Sequence, residues 1–284
     1  MSNKIYFTQD EKRGVSWYLT RAISTLLVKG LPRLSLSLSA KLLLTPHKRK
    51  LPESLPQGME KVSFDSQVGQ LQGYKMGQGP VVLLVHGWSG AASQFFELMQ
   101  YIASQGYCAV SYDQPAHGLS EGKQSNLPMF ILALEAVKAQ LEQASAPVAV
   151  VSHSMGGVAV ANVFEADMPL LMIAPVFEFK AAMQRKVNQA GLHPALLNNL
   201  LNKVSGRFGM VFEELEAAQH MGKFTSDLHI VHDTQDPLAQ FESTLDVFRS
   251  HQHINLVSTS GQGHSRIINA QEVKDSFQSL SLSV

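Results

Sequence analysis

An apolar run from Val148 to Val151 feeds abruptly into Ser152, His153, Ser154, Met155, Gly156 and Gly157, where a helical pattern begins. A serine held in so tight a turn has its hydroxyl pushed out of the strand, and the helix amino terminus behind it faces whatever negative charge develops there. The spacing matches a nucleophile turn of the form Gly-x-Ser-x-Gly, with Ser152 in place of the first glycine. Serine is small, so the turn survives at a modest steric cost. Ser-x-x-Gly alone also suits an ordinary strand-to-helix turn, so Ser154 acquires chemistry only with partners elsewhere in the chain.

Other chemistries have weaker signals. Eleven histidines are present, but no His-Glu-x-x-His run occurs, and Cys108 is the only cysteine, so no metal site is expected. Neither a phosphate-cradling Gly-rich loop ending in Gly-Lys nor a dinucleotide fingerprint occurs, and no cofactor is expected. Lys plus Arg and Asp plus Glu both number 23, which gives no reason to expect nucleic acid as a partner. One cysteine excludes an intramolecular disulfide, so the expected location is cytoplasmic.

The elements that must position Ser154 follow from the hydrophobic pattern. With 284 residues, 45% of them hydrophobic, the chain can bury a full core. Strands are predicted at Val62–Phe64 and Gln70–Met76, then at Val81–Val85, a β-branched run suited to burial on both faces. Further strands are predicted at Tyr107–Tyr112, Val148–Val151, Leu170–Ala174, Leu228–Val231 and Ile254–Val257, with helical spacing at Phe95–Ala103, Met129–Gln143, after Ser154, around Leu245–Ser250 and after His264. Alternating strands and helices predict a doubly wound, mostly parallel α/β sheet whose ligand site lies beyond the carboxyl ends of the strands. From Pro175 to about Phe224 the alternation gives way to amphipathic helical pieces, read as an inserted cap. The expected organisation is an N-terminal helical extension and linker over 1–58, a catalytic domain over 59–174 and 225–284, and a cap over 175–224.

The extension contains an apolar stretch, Trp17 to Leu44, interrupted by Arg21, Lys29, Arg33 and Lys41 before a spanning length accumulates. The polar start, Met1 to Arg13, matches a secretory leader poorly. Trp17, Ile23, Leu26, Leu27 and Leu31 form one helical face, expected to pack on the domain, with membrane-surface contact through 17–44 as the alternative. Leu34 to Ala40 alternates Leu with Ser and suits strand or helix equally. The basic cluster His47, Lys48, Arg49 and Lys50 reads as an exposed linker.

Four motifs in order from Val81 to His264 resemble the α/β-hydrolase superfamily. His86, Gly87, Trp88, Ser89, Gly90 resembles its oxyanion loop, and Asp113 to Ser120 its Asp-led loop ending in His-Gly-x-Ser, with Pro115 and Ala116 as departures. His232, Asp233, Thr234, Gln235, Asp236, Pro237 stands where the acid is expected, and Gly261, Gln262, Gly263, His264 resembles the segment of the base. The resemblance implies Ser154 as nucleophile, His264 as general base and Asp236 as the orienting acid, with Asp233 as a turn cap. It also implies that the backbone N–H groups of Trp88 and Met155 hold the oxyanion. His86, Gly87 and His153 are candidates to contact substrate, although His153 also suits packing under the turn. The order Ser, Asp, His agrees with this fold.

The expected function is therefore hydrolysis of a small-molecule carboxylic ester with an apolar acyl or alcohol moiety, through an acyl-enzyme. A thioesterase or a C–C bond hydrolase would use the same triad. A non-catalytic binding protein on the same scaffold is the reading from another class.

Overall fold

The computed structural model describes residues 14–49 and 51–282; Met1 to Arg13 and Lys50, named above, lie outside the described residues. Two helices come first, α1 (Val15–Gly30) and α2 (Pro32–Leu43). Pro32 cannot continue α1 but suits the first turn of α2, so the chain bends between them. There follow β1 (Met59–Phe64), β2 (Leu71–Met76), β3 (Val81–Val85), α3 (Phe96–Ser104), β4 (Cys108–Tyr112), α4 (Leu127–Ala144), β5 (Pro147–His153), α5 (Met155–Val163) and β6 (Leu170–Ile173). Three helices, α6 (Phe179–Gln189), α7 (Pro194–Phe208) and α8 (Ala217–His220), precede β7 (Leu228–Asp233), α9 (Phe241–Ser250), β8 (Ile254–Thr259), α10 (Gly263–Arg266) and α11 (Gln271–Gln278).

The strands form one sheet in the order β1-β2-β4-β3-β5-β6-β7-β8. Pairing is antiparallel at β1–β2 and β2–β4 and parallel from β4 to β8. The chain thus has the doubly wound, mostly parallel architecture of the α/β-hydrolase fold. Every residue of β3 is buried because both faces are covered. Val81, Leu83 and Val85 join the layer of α4 and α5, whereas Val82 and Leu84 join the layer of α3 and α11. Since β3, β5, β7 and β8 run in one direction, the segments that follow them, carrying Trp88, Ser154, Asp236 and His264, converge at one edge.

The excursion between β6 and β7 is helical. Phe177, Phe179, Leu197, Leu200 and Phe212 are buried in the same cluster as the inner faces of α4 and α5, Leu196 is also buried, and Met183, Leu192, Phe208 and Met210 are half-buried. The Glu216 carboxylate accepts the Phe179 N–H and, at 2.9 Å, the Lys180 N–H, which satisfies the start of α6.

The extension differs from expectation. Leu34–Ala40 is helix, within α2. Ile23, Leu26 and Leu31 do not pack inward: they are 58%, 71% and 55% exposed. Instead α1 docks through Trp17, whose indole N–H donates to the Asn188 carbonyl at 2.9 Å, and through buried Ser24, whose hydroxyl accepts the His193 N–H at 3.0 Å. Periodicity marks an apolar face but carries no information about which side of a helix meets the protein. Among the described residues, no helix is long and apolar enough to cross a membrane.

Candidate active site

β5 delivers Ser154 into the turn before α5 with φ 54° and ψ −126°, a left-handed conformation that costs a non-glycine residue about 1–3 kcal/mol and persists only where its surroundings enforce it. The enforcement is visible. The Ser154 N–H donates to the Ile173 carbonyl at 3.1 Å. Gly156 lies so close to the end of β3 that a Cβ there would meet the His86 carbonyl oxygen at 2.8 Å. A Cβ on Gly87 would meet the Ser154 Cβ at 2.7 Å, so this glycine lets the loop after β3 close on the serine. Ser152 is tolerated because it faces Gly157, where even an added Cβ would lie 3.4 Å from its hydroxyl.

The Ser154 hydroxyl stands 2.9 Å from His264 Nε2, and His264 Nδ1 stands 2.7 Å from Asp236 Oδ2. The three side chains named from the sequence are therefore brought together, in hydrogen-bonding order. The His264 loop is bent by Gly261 and Gly263, at φ 84° and 63°, values that favour glycine. Asp236 Oδ1 accepts the Leu238 and Ala239 N–H groups at 2.7 and 3.0 Å. Burial alone would raise the Asp236 pKa, but hydrogen bonds from His232 and His264, the nearby imidazole charge and the Leu238 N–H outweigh it and hold the carboxyl well below its usual range. An ionised Asp236 keeps the proton on His264 Nδ1 and leaves the Nε2 lone pair directed at Ser154.

Two neighbours hold this arrangement. His232, fully buried, places Nε2 3.3 Å from Asp236 Oδ2 and Nδ1 2.7 Å from the Thr244 hydroxyl. Sequence reading assigned His232 no role; its only signal was a histidine four residues before the acid at a strand end. Asp233 accepts the Gln235 N–H at 2.9 Å, the Thr259 hydroxyl at 2.9 Å and the Gln262 N–H at 2.7 Å. It therefore ties the acid loop to the base loop and does more than cap a turn.

The histidines expected near substrate have structural partners instead. His86 is fully buried; its Nδ1–H donates to the Gly87 carbonyl at 2.7 Å and its Nε2 accepts the Gln114 N–H at 2.9 Å. His153 donates from Nε2 to the His264 carbonyl at 2.8 Å, with its ring 4.7 Å from that of His264. Both side chains are buried, and these bonds engage their ring nitrogens. His117 accepts the Ser89 N–H at 3.0 Å and donates to the Pro115 carbonyl at 2.9 Å. Burial pushes His86 down to about 4 and His117 and His153 to about 3, so all three are neutral braces. Asp113 accepts the Ala92 and Leu119 N–H groups at 2.8 and 2.9 Å.

Trp88, half-buried, lies across His117 and Phe130 at ring distances of 5.3 and 6.5 Å, which fixes the loop that carries its N–H. Among the described residues, the backbone N–H groups of Trp88 and Met155 donate no hydrogen bond; Met155 follows Ser154 in the chain, and Trp88 follows Gly87, which packs against Ser154. Two unengaged donors beside a serine are a ready site for a developing oxyanion. Among the described residues no group of three His, Cys, Asp or Glu side chains is placed to hold a metal.

The sequence model of one family, serine aminopeptidase, S33, matches residues 78–253, a span that includes Ser154 and Asp236 and ends before His264. No curated protein matches the chain by sequence. Among solved structures, the esterase Pf2001 of Pyrococcus furiosus superposes with a TM-score of 0.61 at 18% identity, over 83% of this chain and 94% of that one. Est1E of Butyrivibrio proteoclasticus with bound ferulic acid gives 0.58 at 17%, over 75% and 95%. An α/β serine hydrolase homologue from Coxiella burnetii gives 0.53 at 18%, over 78% and 97%. At these identities the likeness is one of fold.

Proposed function

We propose a function from the premise that the chain belongs to the serine aminopeptidase, S33, family of α/β-hydrolases: it hydrolyses carboxylic esters with an apolar acyl or alcohol moiety, through an acyl-enzyme on Ser154. The observation that carries this reading is the continuous bridge from Asp236 through His264 to Ser154, at 2.7 and 2.9 Å, beside the two unengaged N–H groups.

The Ser154 oxygen attacks the carbonyl carbon while its proton passes to His264 Nε2. The oxyanion is held by the Trp88 and Met155 N–H groups, each such donor contributing about 3–4 kcal/mol to transition-state stabilisation. Collapse breaks the ester C–O bond, and the departing alkoxide takes the proton from Nε2. Water then attacks the acyl-enzyme by the same path, releasing the carboxylic acid and restoring Ser154. Asp236 keeps the imidazole oriented and stabilises its cation without taking the proton.

Charge distribution favours an ester over a peptide with a free amino terminus. An aminopeptidase must hold the substrate's ammonium group, yet Asp113, Asp233 and Asp236 are all occupied by internal donors. Lys48, Arg49 and Lys186 lie within electrostatic reach of Asp113, His86 and Asp236, and they would repel such an ammonium. In this reading residues 175–224 are the cap, and Met183, Leu192, Phe208 and Met210, half-buried against the core, are its partly exposed apolar side chains. The cytoplasm is the expected compartment, since buried Cys108 is the only cysteine.

Intact-mass labelling with a fluorophosphonate, followed by a chain-length series of aryl esters and acyl thioesters, tests this reading. Wild type takes up one label and Ser154→Ala none, with ester turnover falling by about a millionfold or to the assay floor. Full activity in Ser154→Ala overturns the mechanism. Faster turnover of the thioester series reassigns the leaving group.

A further inference from the structure

The hairpin of α1 and α2 presents two apolar faces. Inward, Leu36, Ala40 and Leu43 pack on the core, and buried Ser24, Ser35 and Ser39 allow close approach by returning their hydroxyls to carbonyls of their own helices. Outward, Val15, Leu19, Ile23 and Leu26 form one exposed row on α1, and Leu34, Leu38 and Leu42 form another along α2, with exposed Leu31 at the bend between the helices. Both helices contact α7 with their inner sides, so these rows face away from the body. Nine of the thirteen large hydrophobic side chains most exposed among the described residues belong to this hairpin, and Leu42 is 61% exposed. A helix apolar on both sides needs apolar material on both sides.

Charge identifies the covering material. From Gly14 to Arg49 there is no Asp or Glu, whereas Arg21, Lys29, Arg33, Lys41, Lys48 and Arg49 are present, in a chain whose formal charge sums to zero. Lys29 and Lys41 follow exposed Leu26 and Leu38 by three residues, placing an ammonium at the border of each row. A second copy of this face would meet the first with like charge. Anionic headgroups complement it, and neither helix is long and apolar enough to span a bilayer.

We propose that the α1–α2 hairpin is a peripheral docking surface for an anionic lipid bilayer, lying in the interface with its leucine rows among the acyl chains and Lys29 and Lys41 at headgroup level. The surface is separate from the Ser154 chemistry and does not depend on it.

Co-sedimentation of the full chain with vesicles of phosphatidylcholine plus phosphatidylglycerol, against phosphatidylcholine alone, tests the proposal. Wild type partitions onto the anionic vesicles, and partitioning weakens as salt rises. Leu26→Ser/Leu34→Ser/Leu38→Ser and, separately, Lys29→Glu/Lys41→Glu lose roughly tenfold or more in partition coefficient while keeping the wild-type circular dichroism spectrum. Ser154→Ala binds as wild type does, so failure of the ester reading would leave this result intact. Equal recovery in the supernatant with and without anionic vesicles overturns the proposal. So does a wild-type dimer in sedimentation velocity that the triple leucine variant converts to monomer, which would assign the face to a second copy.

Discussion

The site at the carboxyl edge of the sheet and the hairpin at the start of the chain invert one another. In the first, Asp113, Asp233, Asp236 and His232 are buried, and their polar atoms are matched by donors or acceptors 2.7–3.3 Å away. In the second, leucines stand in the open while serines are buried. Buried polar groups persist only with partners, so the site is specified from within. The exposed apolar rows face away from the residues on which the hairpin docks, so among the described residues the partner proposed for them lies outside the molecule. The difference separates residues whose replacement damages the protein itself from residues whose replacement damages an encounter.

The comparison breaks most sharply at Asp236. Asp236→Asn keeps the shape of the side chain but removes the charge that fixes the His264 tautomer, and kcat should fall by about ten-thousandfold, read from steady-state aryl ester hydrolysis. A loss below tenfold would mean that the orienting role belongs elsewhere.

Acid sensitivity sharpens the contrast next. Folded His86, His117 and His153 have pKa values depressed to about 4, 3 and 3, below the value of about 6.5 in an unfolded chain. Their neutral forms contribute stability that is complete above about pH 6.5 and is lost as pH falls, because the unfolded chain takes up protons first. Asp236 is also depressed, but its contribution disappears only below the unfolded carboxyl value of about 3.9. Between about pH 6.5 and 4 the three histidines contribute a slope of at most roughly 4 kcal/mol per pH unit, against which the carboxyls of Asp113 and Glu216, raised by burial, act in the opposite sense. Urea midpoints measured across that window should fall steadily; a flat profile would show the histidines to be open to water.

The smallest effect is expected in the hairpin. Leu38→Ala should change unfolding free energy by no more than about 0.5 kcal/mol. The same change at Leu84, fully buried in β3, should cost about 2–5 kcal/mol. Comparable losses at the two positions, measured by urea unfolding, would place Leu38 in the folded interior.

The sequence disclosed what local backbone geometry dictates. Ser154 was legible because a strand, a tight turn and a small-residue helix start are adjacent in the chain, and His264 because two glycines, which the structure holds at left-handed φ, precede it. The run Val81–Val85 announced a doubly covered strand through its composition alone. His232 was silent because its link to Asp236 requires the loop after β7 to fold back beneath the strand end. The bracing roles of His86 and His153 could not be separated from substrate contact, because a histidine beside a reactive residue reads the same whether it faces substrate or supports a loop. For α1, the 3.6-residue period revealed an apolar face without its direction, and the serines that dock the helix carry no hydrophobic signal.

Ser154 and His264 are separated by 110 residues along the chain. Synthesis at about 5–20 residues per second leaves the serine without its base for about 5–20 s after it is made. Because β8 and the His264 loop follow β5 and the Ser154 turn in the chain and lie at the far edge of the sheet, a chain stopped before them carries Ser154 without the imidazole that stands beside it in the fold. Reactivity is thereby withheld until the chain has been extended through His264, a consequence of the order in which the three side chains are encoded.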